Sequence, residues 1–408
     1  MLKSHKKTII EALGRHPIHP FPARMAPGIA LDALSESKGC LSVLDPMMGS
    51  GTVLAVAKAS GHKAIGSDLD PLAVLLSKVW TTPVDRKRAT DAAVRALEHA
   101  RVVAAKLAQR DAYPSSADEQ TKKFVRYWFD PYARRQLASL ARAISRVKDR
   151  SVQDVLWCGF SRLIITKSAG ASLAMDLSHS RPHRSYQTAP LKPFAKFMAA
   201  VETVISNCPK KSHKNGPYAS VRHGDARDLP ISDGSIDLVL SSPPYLNAID
   251  YLRCSKFSLV WMGYGVDEIR RIRSGSVGTE APSEACQHQP LVRAVIRSLR
   301  LAPALSRRNR ATLAQYVWDM YRVTAEAARV LKPGGRAVYV VGDSTIRGTF
   351  VRNSSIVAAV ARRNGLTLVS RSSRKLPENR RYLPPPRKRN RAKLDARMRR
   401  EVILVLRK

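Results

Sequence analysis

Apolar and polar positions alternate along this chain in two distinct rhythms. Leu41 to Asp45 is a short apolar run ending in an acid, which predicts a buried strand. A glycine-bearing turn follows, then Thr52 to Ser60 has helical composition and stops at Gly61, a natural C-cap residue. Lys63 to Ser67 predicts a second strand ending at Asp68. Pro71 to Trp80 predicts a helix with proline in its first turn. This strand–loop–helix–strand–helix order opens a doubly wound parallel sheet. From about 85 to 205 the rhythm is helical, in Ala89 to Ala108 and again in Arg134 to Val147, with a polar, loop-like stretch from Asp111 to Gln120 between them. Strand spacing returns at Ser220 to His223 and Ile236 to Ser241. It recurs at Arg336 to Val341, entered by a Lys332–Gly335 turn. A helix from Ile356 to Arg363 and two last strands, Leu366 to Ser370 and Val402 to Leu406, complete the pattern. No tandem repeat is present.

The pattern divides the chain into three parts. Residues 1–84 and 206–408 build one α/β unit, and residues 85–205 form a helical insertion, read as a target-recognition region, a lid or a dimer face. With 44% hydrophobic residues in 408, the chain can bury a sizeable core. No apolar run approaches the roughly 18 to 20 residues that span a bilayer. The basic start, Met1 to Lys7, has no apolar stretch after it that would make a signal peptide. The five cysteines stand singly, with no CxxC pair for a zinc ribbon, so a reducing cytoplasmic setting is expected. Charge changes the picture more. Lys plus Arg number 70 against 32 Asp plus Glu, a formal net charge of +38. Such a field attracts polyanions, nucleic acid first among them.

Candidate chemistry gathers at two loops. In Asp45-Pro46-Met47-Met48-Gly49-Ser50-Gly51-Thr52, Gly49 and Gly51 allow tight turning and close approach of a ligand to the backbone. The helix amides that follow point at whatever binds. There is no GxxxxGK[ST] or GxGxxG run, so a phosphate cradle is disfavoured. Asp68, ending the next strand, stands where dinucleotide folds place a ribose-binding acid. Together these residues suit a nucleoside-type ligand with an amino group; taken singly, Asp45 and Asp68 read as solvated strand ends. The second loop, Ser242-Pro243-Pro244-Tyr245, leaves strand Ile236 to Ser241. Its prolines carry no N–H, so its carbonyls remain as acceptors for an exocyclic amine. Tyr245 offers a face for an extruded base. Alone, the loop reads as a stiffened turn with a buried tyrosine.

These residues resemble the amino-methyltransferases of DNA, which make N4-methylcytosine or N6-methyladenine. The resemblance covers most of residues 15 to 82 and 218 to 372. It implies a Rossmann-like class I S-adenosylmethionine-dependent methyltransferase sheet with a helical insertion, and S-adenosyl-L-methionine as cofactor. Asp45 to Thr52 resembles the family's cofactor motif, with Asp45, Pro46, Gly49, Gly51 and Thr52 as cofactor-binding positions, and Asp68 resembles its ribose-gripping acid. The Gly224-Asp225 step resembles the motif whose acid nears the adenine of the cofactor. His19-Pro20-Phe21-Pro22-Ala23-Arg24 resembles the run that lines the methionine end, implicating Phe21, Ala23 and Arg24. Lys332 to Asp343 resembles a later strand. Ser242, Pro243, Pro244 and Tyr245 match the catalytic motif, and serine at its first position implies cytosine N4 ahead of adenine N6. Catalysis would be positional and electrostatic, with no covalent intermediate. No cysteine follows a proline, which disfavours ring-carbon methylation.

Double-stranded DNA with a flipped base is the implied substrate, and a cognate restriction nuclease is a candidate partner. An RNA base N-methyltransferase is the alternative. Two basic clusters are read as phosphate contacts or as solvated charge. One lies within Arg374 to Arg400 and comprises Arg380, Arg381, Arg387, Lys388, Arg389, Arg391 and Lys393 around Tyr382. The other comprises Arg293, Arg297, Arg300, Arg307, Arg308 and Arg310. Tyr127, Trp128 and Phe129 read as helix core or as a stacking platform. His179 and His183 lack the acid or cysteine spacing of a metal site, so no metal is expected.

Overall fold

The structure is a computed structural model that describes residues 7–22, 24–36, 39–178, 182–210, 218–246, 251–279, 284–299, 305–346, 349–376 and 400–408. Its strands are β1 (Ser42–Asp45), β2 (Lys63–Asp68), β3 (Ala219–His223), β4 (Ile236–Ser241), β5 (Leu331–Gly342), β6 (Ser344–Ile346), β7 (Thr349–Val351), β8 (Thr367–Lys375) and β9 (Arg400–Arg407). Seven of them form one sheet in the order β3-β2-β1-β4-β5-β9-β8, and β6 with β7 makes a small hairpin. Neighbours from β3 to β5 run parallel, while β9 is antiparallel to both β5 and β8. This is the Rossmann-like α/β sheet that the sequence pattern predicts. The order reverses between β1 and β4, and ligands of open α/β sheets bind at such a point, outside the carboxyl ends of the strands.

Helices close both faces. On one side lie α1 (Ile9–Leu13), α2 (Pro27–Ser35) and α3 (Thr52–Ala59). The residues of α2 and α3 pack on Val43, Leu238, Leu240, Val338, Val340 and Ile403. The next helices in the chain are α4 (Pro71–Thr81), α5 (Arg86–Lys106), α6 (Glu119–Trp128), α7 (Pro131–Ser145), α8 (Arg150–Ile164), α9 (Pro193–Ser206), α10 (Tyr251–Leu259), α11 (Val266–Gly275) and α12 (Pro290–Ser298). The opposite face carries α13 (Arg307–Val330) and α14 (Asn353–Arg363). These meet Leu44, Val239, Ala337, Tyr339, Val341, Leu404 and Leu406. Residues 337 to 341 thus alternate between the two cores, as the two-residue period of a strand requires.

A turn was expected at Lys332–Gly335, but the structure places these residues inside β5. Ile236 pairs with Leu331 and Leu238 with Arg336, so four residues of β5 stand opposite Asp237 alone. They form a bulge, in which Gly334 takes φ +76° and Lys332 Nζ reaches Asp237 Oδ1 at 2.6 Å.

Helices α5 to α9 fall between Arg86 and Ser206 and do not form a detached body. Leu72, Leu76 and Trp80 of α4 share one core with Ala93, Leu137, Leu156, Phe160 and Phe197, and with Phe257 and Trp261 from after β4. Trp128 and Phe129 belong to this packing, with ring centroids 4.9 Å and 6.2 Å from Phe257, whereas Tyr127 is exposed. Each of α4 to α8 starts on an aspartate whose side chain accepts first-turn amides: Asp70, Asp85, Asp118, Asp130 and Asp149. Asp130 does most. Oδ1 takes the amides of Tyr132 and Ala133 at 2.9 and 3.0 Å, and Oδ2 takes that of Ala189 at 2.6 Å. Asp130→Ala should therefore lower unfolding free energy by about 2 kcal/mol, read from urea melts, because three amides, those of Ala133 and Ala189 buried, lose their acceptor.

Candidate functional site

The loop after β1 is sewn to its surroundings by hydrogen bonds from residues of the second β–α unit. Met48 N–H donates to Ser67 O at 3.1 Å, Gly49 N–H to Asp68 Oδ2 at 2.8 Å, and Ser77 Oγ–H to Gly49 O at 3.0 Å. Ser67 Oγ–H reaches Pro46 O at 3.2 Å. Gly51 is at φ +76°, and a Cβ there would lie 2.9 Å from Ser77 Cα, so only glycine fits. Thr52 begins α3 and is buried, its Oγ1 3.4 Å from Ser50 Oγ. The helix has no side-chain cap, which leaves its first-turn amides for a ligand's carboxylate.

Three carboxylates surround this loop. Asp68 is half-buried. Its Oδ2 holds Gly49 and its Oδ1 accepts the Asp70 amide at 2.9 Å. Each oxygen keeps a further lone pair for a ribose hydroxyl. Asp70 is buried, capping α4 through Leu72 N–H and taking the Ser255 hydroxyl at 2.6 Å. Asp45 does not face outward as a solvated strand end. It is buried, and its Oδ1 accepts the Ser241 hydroxyl at 2.7 Å and Met47 N–H at 3.2 Å. Burial pushes Asp45 up to about 7 against the bonds from Ser241 and Met47; burial, then the charge of Asp68, pushes Asp70 up to about 7. Burial also raises Asp68.

Ser241 was not singled out from the sequence, where it is one of two adjacent serines. It is wholly buried and joins the glycine loop to the end of β4. The next residues form the second loop. Ser242 is half-buried, and its hydroxyl makes no hydrogen bond among the described residues. Pro243 is buried and Pro244 half-buried. Tyr245 lies against the last residue of β5: a Cβ on Gly342 would be 2.6 Å from Tyr245 Cε2. Its hydroxyl donates to Glu401 Oε1 at 3.2 Å.

The amino-terminal run reaches the same place. Phe21 is buried, with Cε1 3.7 Å from where a Gly49 Cβ would be. The Arg24 guanidinium braces this run, donating to the Phe21 carbonyl at 3.3 Å and to that of His19. His19 is buried, with Nε2 2.9 Å from Ser161 Oγ, whose own proton goes to Ser258 Oγ at 2.8 Å. Nε2 is therefore the donor, leaving Nδ1 as a buried acceptor without a partner among the described residues. Burial, then the charges of Arg162 and Arg24, holds this ring well below the usual histidine range, so it is neutral. Ala23 lies outside the described residues.

Asp225 follows Gly224, whose N–H donates to Asp68 O at 3.1 Å. Its carboxylate is engaged by Arg227, through Nε at 3.0 and 3.1 Å and Nη2 at 2.7 Å, and Arg227 Nη1 also reaches buried Asp319 at 2.7 Å. Burial alone would raise Asp225, but the Arg227 bonds outweigh it and hold the group below the ordinary carboxylate range.

Of the basic positions, Arg293 and Arg297 are exposed on α12, away from buried Val292 and Val295, and Arg307, Arg308 and Arg310 are exposed at the start of α13. Arg300, His179 and positions 377–399, with Arg380, Arg381, Tyr382, Arg387, Lys388, Arg389, Arg391 and Lys393, lie outside the described residues. Among the described residues no group of three or more His, Cys, Asp or Glu could hold a metal ion, and no helix is long and apolar enough to cross a membrane.

No family model matches the chain. It is similar to the Type II methyltransferase M.MvaI of Kocuria varians, at 21% identity over 389 residues, covering 90% of this chain and 85% of that protein. Among solved structures, one is a Thermus thermophilus protein named as a DNA modification methylase and complexed with S-adenosyl-L-methionine. It is 20% identical with a TM-score of 0.23, over 45% of this chain and 53% of that one, about half its length. An S-adenosylmethionine-dependent methyltransferase of Methanosarcina mazei is 10% identical with a TM-score of 0.34, over 92% and 96% of the two chains.

The buried carboxylates give a pH prediction. The folded values of Asp45 and Asp70 lie above the ordinary 3.8. Their neutral forms therefore add stability that is whole below about pH 4 and is lost as pH rises through about 7. A cationic ligand in the cleft favours the ionised forms, so its binding should expel protons in that window. Calorimetry of S-adenosylmethionine binding in buffers of different ionisation enthalpy should show proton release at pH 6 and little at pH 8.5. Equal heats in all buffers at pH 6 would separate these groups from the ligand.

Proposed function

We propose that this chain is an S-adenosylmethionine-dependent DNA methyltransferase that acts on an exocyclic amine, cytosine N4 in the first place. The reading rests on one juxtaposition. The Ser242–Tyr245 loop leaves β4 beside the Asp45–Thr52 loop that leaves β1, and the 2.7 Å Ser241–Asp45 bond ties the two together at the point where the strand order reverses. The similarity to the Type II methyltransferase of Kocuria varians agrees with this reading, as does the +38 charge.

When bound, S-adenosylmethionine supplies an electrophilic methyl group on a sulfonium. Asp68 would accept its ribose hydroxyls, the uncapped amides of α3 would take its carboxylate, and Phe21 and Gly49 would shape the wall beside it. Asp225, fixed by Arg227, would serve its adenine. The carbonyls of Ser242 and Pro243 accept no hydrogen bond among the described residues and are available as acceptors, and the Ser242 hydroxyl joins them. These acceptors would hold the two amine protons, aim the nitrogen lone pair at the methyl and take up positive charge as the N–C bond forms and the sulfonium S–C bond breaks, after which one amine proton leaves to solvent. Tyr245 meets the face of the extruded base.

The test is methylation of unmethylated genomic DNA with labelled S-adenosylmethionine, followed by nucleoside mass spectrometry. N4-methylcytosine is the expected product. N6-methyladenine would move the target while keeping the site, and label in RNA but not DNA would overturn the DNA assignment. Tyr245→Ala should cost at least about a hundredfold in turnover while cofactor affinity changes less than about threefold, because the residue holds the base and not the cofactor.

A further inference from the structure

Tyr245 is held by residues from the far end of the chain. Glu401 stands in β9 directly opposite Gly342 of β5 and Arg374 of β8. Its Oε1 accepts the Tyr245 hydroxyl at 3.2 Å. Its Oε2 accepts two bonds from the Arg374 guanidinium, from Nε at 2.9 Å and Nη2 at 2.7 Å. Arg374 and Glu401 are nearly enclosed, with side chains 12% and 11% exposed, so their pairing is weakly screened. The ring meanwhile rests on Gly342, where a Cβ would fall 2.6 to 2.9 Å from three ring atoms.

Two constraints therefore act on one aromatic side chain. The glycine backbone sets how deep the ring sits, and Glu401 fixes the position of its hydroxyl. A carboxylate held on one oxygen by a forked guanidinium has little freedom to follow a moving partner. We infer that Arg374 and Glu401 are positioning residues that lock Tyr245 in place to receive a target base. The inference rests on the reading of Tyr245 as the base-facing aromatic. A second consequence concerns the charged segment between positions 374 and 400. Arg374, the first arginine of that segment, lies in β8 and braces Glu401.

The test compares full-length variants Glu401→Ala, Tyr245→Phe, their double variant and Gly342→Ala. Turnover is measured with labelled S-adenosylmethionine on unmethylated genomic DNA, alongside cofactor affinity and melting temperature. Glu401→Ala and Tyr245→Phe should each lower kcat about tenfold, with KM for DNA and cofactor affinity within about twofold, since phosphate contacts dominate DNA affinity. The double variant should lose no more than the worse single one, because both remove the same contact. Gly342→Ala should also lower kcat, by pushing the ring from its other side, and it stands in for Glu401→Ala should that protein not fold. Losses that multiply in the double variant, or a lowered melting temperature with wild-type kcat, would overturn the positioning role. If Tyr245→Ala itself retains turnover, the base-facing reading of Tyr245 fails instead, and the two failures are told apart.

Discussion

The bond between the Ser241 hydroxyl and Asp45 crosses the place where the sheet changes direction. The two loops that it joins form the centre of the site, and Phe21, Asp68 and Asp225 approach from other elements. Asp45 ends β1 and opens the glycine loop, and Ser241 ends β4 and opens the proline loop. A buried carboxylate without a donor would be costly, and a buried hydroxyl without an acceptor likewise. Each satisfies the other, and the two loops are held in register as a result. The wider cleft is built the same way: Gly49 on Asp68, Ser77 on Gly49, Gly224 on the backbone of Asp68.

Charge is arranged in layers around this centre. Close to the glycine loop the groups are acidic, with Asp45 and Asp70 buried, Asp68 half-buried, and all three pushed upward by loss of solvent. Farther out the surface is basic, with exposed arginines on α12 and α13. An acidic pocket inside a basic body suits a cationic small molecule within and a polyanion without. The arginines nearest the cleft are exceptions, because Arg24, Arg227 and Arg374 all bind protein oxygens and act as braces.

The helices between Arg86 and Ser206 are bound into this frame by their core. Trp80 of α4, Phe160 of α8, Phe197 of α9 and Phe257 of α10 share one apolar cluster, so a displacement of these helices must disturb the element that follows the proline loop. Whatever these helices contact outside, they are mechanically continuous with the site. Most of their starting points were legible in principle: four aspartates stand at the beginnings of α5, α6, α7 and α8, a capping signal that hydrophobic spacing alone passes over.

The strands, the glycine loop and the proline loop could be read from the sequence because each depends on neighbours within a few positions. Apolar alternation, a glycine needed at positive φ and a pair of prolines after a strand are local properties of the chain. The same locality misplaced Lys332–Gly335, whose turn-like residues bulge within a long strand because β4 runs beside them. Partners were a different matter. Asp45 meets Ser241 across 196 positions and Tyr245 meets Glu401 across 156, and neither pairing leaves a mark on local composition. Those contacts follow from strand order, which seats β4 against β1 and threads β9 between β5 and β8. The sequence by itself determined which groups could do chemistry; the sheet decided which of them face a ligand and which hold the others in place, because only burial in the assembled core forces each polar group to find its partner.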